Sequence, residues 1–124
     1  MRKLTVSRDL KGTAGLCELP VDDILFFESH STAKEMIILH TRNEVYYTPG
    51  TLKYWLEVLK ASGEDFEMVD RANLVHLSKI HHIDRFFRIA YFDENKSSKK
   101  CTISINNVSK VLKHLARIKN EAET

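Results

Sequence analysis

Hydrophobic positions change their spacing several times along the chain, and each change predicts an element. Ile24-Leu25-Phe26-Phe27-Glu28 is a short apolar run with aromatics, set between Asp22-Asp23 and Ser29-His30-Ser31-Thr32. Runs of this kind form buried strands. Met36–His40 predicts the next strand, and Thr41-Arg42-Asn43-Glu44 a hairpin turn into Val45–Thr48. Pro49-Gly50 ends that strand, because proline has no N–H to give a ladder. The period then shifts. Leu52, Trp55, Leu56 and Leu59 fall at i, i+3, i+4 and i+7, which predicts a helix over Thr51–Lys60 with Thr51 as its N-cap and Gly63 as its stop. Phe66–Val69 and Asn73–Leu77 read as short extended pieces. Ile80–Ile83 and Phe86–Phe92 read as a hairpin turning at Asp84-Arg85. Asp93–Lys100 is a polar loop, and Cys101–Ile105 alternates as a strand does. Asn107 opens a final helix striped by Val108, Val111, Leu112 and Leu115. Residues 1–15 are the least committed, with Leu4–Ser7 a candidate edge strand.

This pattern predicts a mainly β domain of about seven to ten short strands, with one helix near 51–61 and one near 107–118. The helices are too far apart for a helix-turn-helix, whose two helices are joined by a short turn. With 124 residues, 43% hydrophobic and 29% charged, the chain suits a single folded domain over 1–124, its core at about 20–115. No apolar stretch is long enough to cross a bilayer or to follow Met1 as a signal peptide, and Cys17 and Cys101 make no Cys-x-x-Cys pair. Those features predict a cytoplasmic protein without membrane association.

The formal charge of +2 conceals an asymmetry. Residues 12–95 hold 8 Lys or Arg against 14 Asp or Glu. Residues 96–119 hold seven cations (Lys96, Lys99, Lys100, Lys110, Lys113, Arg117, Lys119) and no acid. Arg2, Lys3, Arg8 and Lys11 stand against Asp9 alone at the start. A one-sign stretch attracts polyanions whatever the net charge, although a solvated helix face gives the same pattern.

Catalytic chemistry finds little support. His76, His81 and His82 cluster in sequence, but neighbouring strand residues point to opposite faces, whereas a metal needs converging ligands. Cys101 on a strand reads as a small core residue. No Gly-rich phosphate loop, Gly-x-Ser-x-Gly or His-Glu-x-x-His is present. The expectation is a non-enzyme with no metal and no cofactor.

One segment is more specific. From Phe66 to Ile80 the chain resembles the signature of the LytTR family of bacterial DNA-binding domains: Phe, any, Arg, any, His, Arg, Ser, two positions, Val, Asn, three positions, Ile. Phe66, Arg71, Val75 and Ile80 match, while Met68, Asp70, Ala72 and His76 depart. Asp23–Ser29 resembles the family's opening strand, which ends in an acid, and His40-Thr41 the end of its second core strand. Thr51-Leu52 resembles its "Thr-Leu" helix, and Thr102–Val108 its last strand before a closing helix. The resemblance implies an elongated antiparallel β fold whose edge loops enter successive major grooves and bend the DNA. Carried over by position, it implies that Lys34, Arg71 and Asn106 contact bases. Arg can bond guanine and Asn adenine in a bidentate manner, and Lys can reach guanine acceptors. Ser104, Asn107, Ser109 and Lys110 would hold phosphates near the N-terminus of the closing helix.

The resemblance implies a cytoplasmic transcription regulator on direct repeats of double-stranded DNA, two copies forming a homodimer on the DNA, with an upstream sensor or receiver partner. No receiver domain fits in the roughly 20 residues ahead of the resemblance. Each residue also has a plain structural reading. Lys34 can be a solvated strand end, Arg71 an ion-pair partner of Asp65, Glu67 or Asp70, and Asn106 an N-cap. The four departures and the acidic middle leave an alternative, a protein–protein interaction module on the same fold that has lost DNA binding.

Overall fold

The computed structural model describes residues 2–95 and 99–123, with side chains described as far as Ile118. Lys96 and the side chain of Lys119, part of the basic run, lie outside the described residues. Ten strands and two helices follow one another: β1 Lys3–Ser7, β2 Leu16–Pro20, β3 Phe26–Ser29, β4 Met36–His40, β5 Val45–Pro49, α1 Leu52–Ala61, β6 Phe66–Asp70, β7 Asn73–His76, β8 His82–Asp84, β9 Ile89–Tyr91, β10 Lys100–Thr102 and α2 Val108–Glu123. Single 3-10 turns stand at Val21–Asp23, Leu77–Lys79 and Ile105–Asn107. The strands form a seven-stranded sheet in the order β2-β1-β5-β4-β3-β7-β6 and a three-stranded sheet in the order β10-β9-β8. Every pairing is antiparallel. This is the mainly β architecture that the hydrophobic pattern predicts.

The β4–β5 hairpin and α1 stand where the spacing places them. The Thr51 hydroxyl accepts the N–H of Tyr54 at 3.1 Å, and Gly63 takes φ +81° just past the helix end. That conformation is the left-handed one glycine adopts without steric cost.

Four expectations need correction. The N-terminal segment is well ordered: β1 pairs residue for residue with β2, from Lys3 opposite Pro20 to Ser7 opposite Leu16. Leu4–Ser7 therefore lies inside the sheet, and the unforeseen β2 forms its edge. Its sequence, Leu-Cys-Glu-Leu-Pro, is too short and mixed for periodicity to isolate it. Ile24 and Leu25 precede their strand, because the Ile24 N–H closes a turn on the Val21 carbonyl. Phe86, Phe87 and Arg88 belong to a turn, because the Asp84 carboxylate takes the N–H groups of both phenylalanines. Finally, β10 ends at Thr102 instead of Ile105. The Ile103 N–H still bonds the Arg88 carbonyl beside β9, but the Ser104 N–H bonds Val69 of β6, so the chain crosses from one sheet to the other.

Two cores share the central strands. Phe27 of β3 and Leu74 of β7 point beneath α1, with Leu39, Leu59 and Phe66. Their neighbours Phe26 and Val75 point the other way, toward α2 and the three-stranded sheet, with Val69, Ile83, Phe92 and Val111. Successive side chains on a strand face opposite sides, so these strands are buried on both.

Candidate nucleic-acid interface

Three turns gather at one end of the seven-stranded sheet, two of them leaving that sheet and the third arriving from β10 of the three-stranded sheet. β3 finishes and β4 begins there, since Ser29 lies opposite Ile37. β6 finishes and β7 begins there as well, since Glu28 lies opposite Asn73. The Ser29 N–H donates to the Ala72 carbonyl at 3.0 Å, which ties the β3–β4 loop to the β6–β7 turn. The third turn, Ser104–Asn107, is bound to β6 by two donors on one carbonyl. The Ser104 N–H reaches the Val69 oxygen at 2.8 Å and Asn107 Nδ2 reaches it at 3.3 Å. Asn73 Nδ2 adds a bond to the Thr102 carbonyl at 3.2 Å, just upstream.

Lys34 sits on the first of these turns, Arg71 on the second and Asn106 on the third, and all three are exposed. None of the three side chains makes a hydrogen bond or ion pair with a described residue. Their donors face solvent and need no rearrangement to meet a ligand. Of the acids that could have claimed Arg71, Glu67 has other partners, Lys60 and Lys110. A register shift between Met68 and Asp70 re-aims the end of β6, as a bulge does.

The residues assigned to phosphates divide. Ser109 is exposed in the first turn of α2. Ser104 and Asn107 are spent on each other, with Asn107 Nδ2 donating to Ser104 Oγ at 2.6 Å. They shape the turn that presents Asn106. Lys110 Nζ lies 3.6 Å from the Glu67 carboxylate. Burial pushes that carboxyl up, but the hydrogen bond from Lys60 and the charges of Lys110 and Lys60 outweigh it, so Glu67 titrates below its usual value. An anion would draw Lys110 from an existing partner.

The departures from the signature also divide by location. Met68 packs against the core under α1. His76 is 4% exposed, and its Nδ1–H donates to the Ile24 carbonyl at 3.0 Å. Burial holds it below the ordinary histidine range, so it sits neutral in the interior. Neither touches the turn surface. Only Asp70 and Ala72 change the surroundings of Arg71.

Glu28 and His40 brace adjoining strands. His40 Nε2 bonds Glu28 Oε1 at 2.8 Å, and Lys99 Nζ stands 2.9 Å from His40 Nδ1. A lysine can only donate, so Nδ1 accepts and Nε2–H donates to the carboxylate. Burial again holds this histidine below its ordinary range. Cys101 is buried, which pushes its thiol up to about 12 and leaves no thiolate to act as a nucleophile. His81 and His82 are exposed while His76 is interior, so the three histidines do not converge. Among the described residues no three His, Cys, Asp or Glu gather as a metal site, and no helix is long and apolar enough to cross a membrane.

The sequence places a hairpin turn at Asp84-Arg85, but the turn runs on through Arg88 and carries two phenylalanines assigned to a strand. Arg85, Phe86, Phe87 and Arg88 are all exposed, with Phe86 at 81% and Phe87 at 66%. The signal was present in Asp84, whose short carboxylate caps such turns.

Comparison with known proteins agrees with this fold. The family model described as the LytTr DNA-binding domain matches residues 14–116. A solved structure from Bacillus cereus, the LytTr DNA-binding domain of a protein described as a methyl-accepting/DNA response regulator, superposes with a TM-score of 0.70 at 14% identity. The match covers 90% of this chain and 97% of that one. At that identity the likeness speaks for the fold. No curated protein matches the chain.

Proposed function

Since the chain belongs to the LytTR family of DNA-binding domains, we propose that it is a sequence-specific binder of double-stranded DNA and acts in transcription regulation. The observation that carries this reading is the placement of Lys34, Arg71 and Asn106, all exposed and uncommitted, on three adjacent turns at one end of the sheet. Arg71 reads guanine and Asn106 adenine from the major groove, with Lys34 on a guanine acceptor of a neighbouring step. Ser109 and Lys110 hold phosphates, with the first-turn amides of α2 beside them. Ser104 and Asn107 support the turn and contribute less to the DNA than their sequence position implies. Turns spaced along one end suit successive major grooves of a bent duplex, with two copies on a direct repeat. The whole of residues 1–124 acts as one cytoplasmic domain, and an upstream sensor or receiver supplies its signal.

Titration against a pool of random duplexes at two salt concentrations, with sequencing of the bound fraction, tests this. Enrichment of short elements repeated about one helical turn apart is expected. Binding should fall steeply with salt, at about −0.9 in log–log slope per phosphate contacted. Binding without enrichment would reduce the role to backbone contact.

One observation favours the second reading, a protein-interaction module. Phe86, Phe87 and Ile105 are exposed, at 81%, 66% and 71%. Exposed apolar groups in one area mark interaction surfaces. Here, however, they stand with Arg85 and Arg88, and the basic character of the surface is kept.

A further inference from the structure

The β8–β9 turn is the least explained surface of the molecule. Phe86 and Phe87 stand next to each other in an edge-to-face pair, ring centroids 4.9 Å apart, both largely in water. Leaving two phenylalanines in solvent forgoes the hydrophobic stabilisation that burial would give each. The turn is held in shape: Asp84 Oδ1 accepts the Phe86 N–H at 3.0 Å and the Phe87 N–H at 2.9 Å. Arg88 holds the left-handed region at φ +56°, a conformation uncommon outside glycine. The side chains of Arg85 and Arg88 are exposed and make no hydrogen bond or ion pair with a described residue. Asp84, next to the turn, accepts both phenylalanine N–H groups on Oδ1.

The position of the turn gives it meaning. Asp84 pairs with Ile89, and Ile89 pairs with Thr102. The turn 85–88 and the Ser104–Asn107 turn therefore leave the three-stranded sheet at the same end. One hydrogen bond of 2.8 Å, from the Ile103 N–H to the Arg88 carbonyl, links their bases. Ser104, the next residue, is bonded to Val69 beside the Arg71 turn.

We propose that the Arg85–Arg88 turn is a fourth DNA-contacting element, in which Arg85 and Arg88 clamp phosphates while Phe86 and Phe87 press into the adjoining minor groove and unstack a base step. The inference rests on the DNA-binding reading and extends it to a residue set outside the signature. Two cations that flank an apolar pair fit a duplex, whose minor groove is walled by phosphates and floored by apolar base and sugar edges. Apolar wedges in the minor groove unstack steps and bend the helix toward the major groove. A bend of that sense brings more of the duplex against the turns that carry Lys34, Arg71 and Asn106.

The test uses the full chain and a duplex taken from the selection, with 2-aminopurine placed at successive flanking steps. Wild type should brighten the probe at one step as it unstacks. Phe86→Ala/Phe87→Ala should abolish that brightening and weaken binding roughly tenfold, the scale of one lost stacking contact. Arg85→Ala/Arg88→Ala should weaken binding at least tenfold at low salt and shallow the salt slope by about 1.8, for two phosphates. Both variants should keep the base preference of wild type, which Arg71→Ala should relax. These side chains lie in water, so unchanged circular dichroism will show that the variants fold. If both variants bind with wild-type affinity, salt slope and probe signal, the inference is overturned while DNA binding stands, and the aromatic pair serves a protein partner or a lipid surface. If wild type itself binds no duplex, the DNA-binding reading fails first and this one with it.

Discussion

The two helices apply one kind of pattern to opposite ends. Both carry an apolar stripe at helical spacing. α1 is 10 residues long, starts on the Thr51 hydroxyl and seals one core with Leu52 and Leu59. Its outer face mixes Lys53, Glu57 and Lys60. α2 is 16 residues long and is entered through the Ile105–Asn107 3-10 turn. Of its stripe only Val111 is fully buried, while Val108, Leu112 and Leu115 are half-buried. Its outer face gathers Lys110, Lys113, His114 and Arg117 with no acid among them. The stripe thus tells which side goes inward on both, but it does not separate a helix that closes a core with a mixed outer face from one whose outer face is basic. The charge of the outer face and the manner of entry do.

The largest effect expected from breaking this contrast is on stability. Leu59→Ala should cost about 3 kcal/mol in chemical denaturation, within the range for a leucine emptied from a tight core. Val111→Ala should cost clearly less, and equal losses would erase the distinction between the helices. Next comes Arg71→Ala, expected to lose about 1–3 kcal/mol of binding to a selected duplex while leaving the melting temperature unchanged. A fall in melting temperature would mark Arg71 as structural. Thr51→Ala should cost about 1 kcal/mol of stability through loss of the cap, with base preference intact. Lys110→Ala should weaken all sequences alike and only slightly, because its Glu67 contact competes with phosphate. A sequence-dependent loss would put Lys110 on a base.

Acid should act on the cores. Burial lowers the folded-state affinity of His76 and His40 for protons, so the unfolded chain binds more protons just below the ordinary histidine value of 6.5. Their contribution to stability is then complete above about pH 6.5 and is lost as pH falls below it. Denaturation at pH 7.5 and pH 5 measures this, and identical midpoints would show that neither ring stays neutral inside.

Legibility in the sequence followed the number of levels that agreed. The β4–β5 hairpin and α1 were plain because apolar period, turn residues and cap residues coincided there. β2 was hidden because its five residues carry no clean alternation and its partner lies across a glycine-bearing loop. Phe86 and Phe87 misled because aromatic residues favour strands, while the Asp84 side chain decided for a turn. At the candidate interface the resemblance named Lys34, Arg71 and Asn106, and the structure puts each on an exposed turn. It could not show that Ser104 and Asn107 spend their side chains on each other, since that bond depends on a crossing between two sheets. Nor could it show that His76 departs from the signature in the interior and Met68 where it packs half-buried against a core.

β3 and β7 each lend one face to each core. Inserting or deleting a single residue in either strand would exchange Phe26 with Phe27, or Leu74 with Val75, and turn both interiors inside out at once. Length is therefore frozen in the strands and negotiable only in the turns between them. The same turns hold the exposed side chains of Lys34, Arg71 and Asn106. A lineage descended from this chain can lengthen or trim the loop around Lys34 or the turn around Phe86, and its interior will register none of the change.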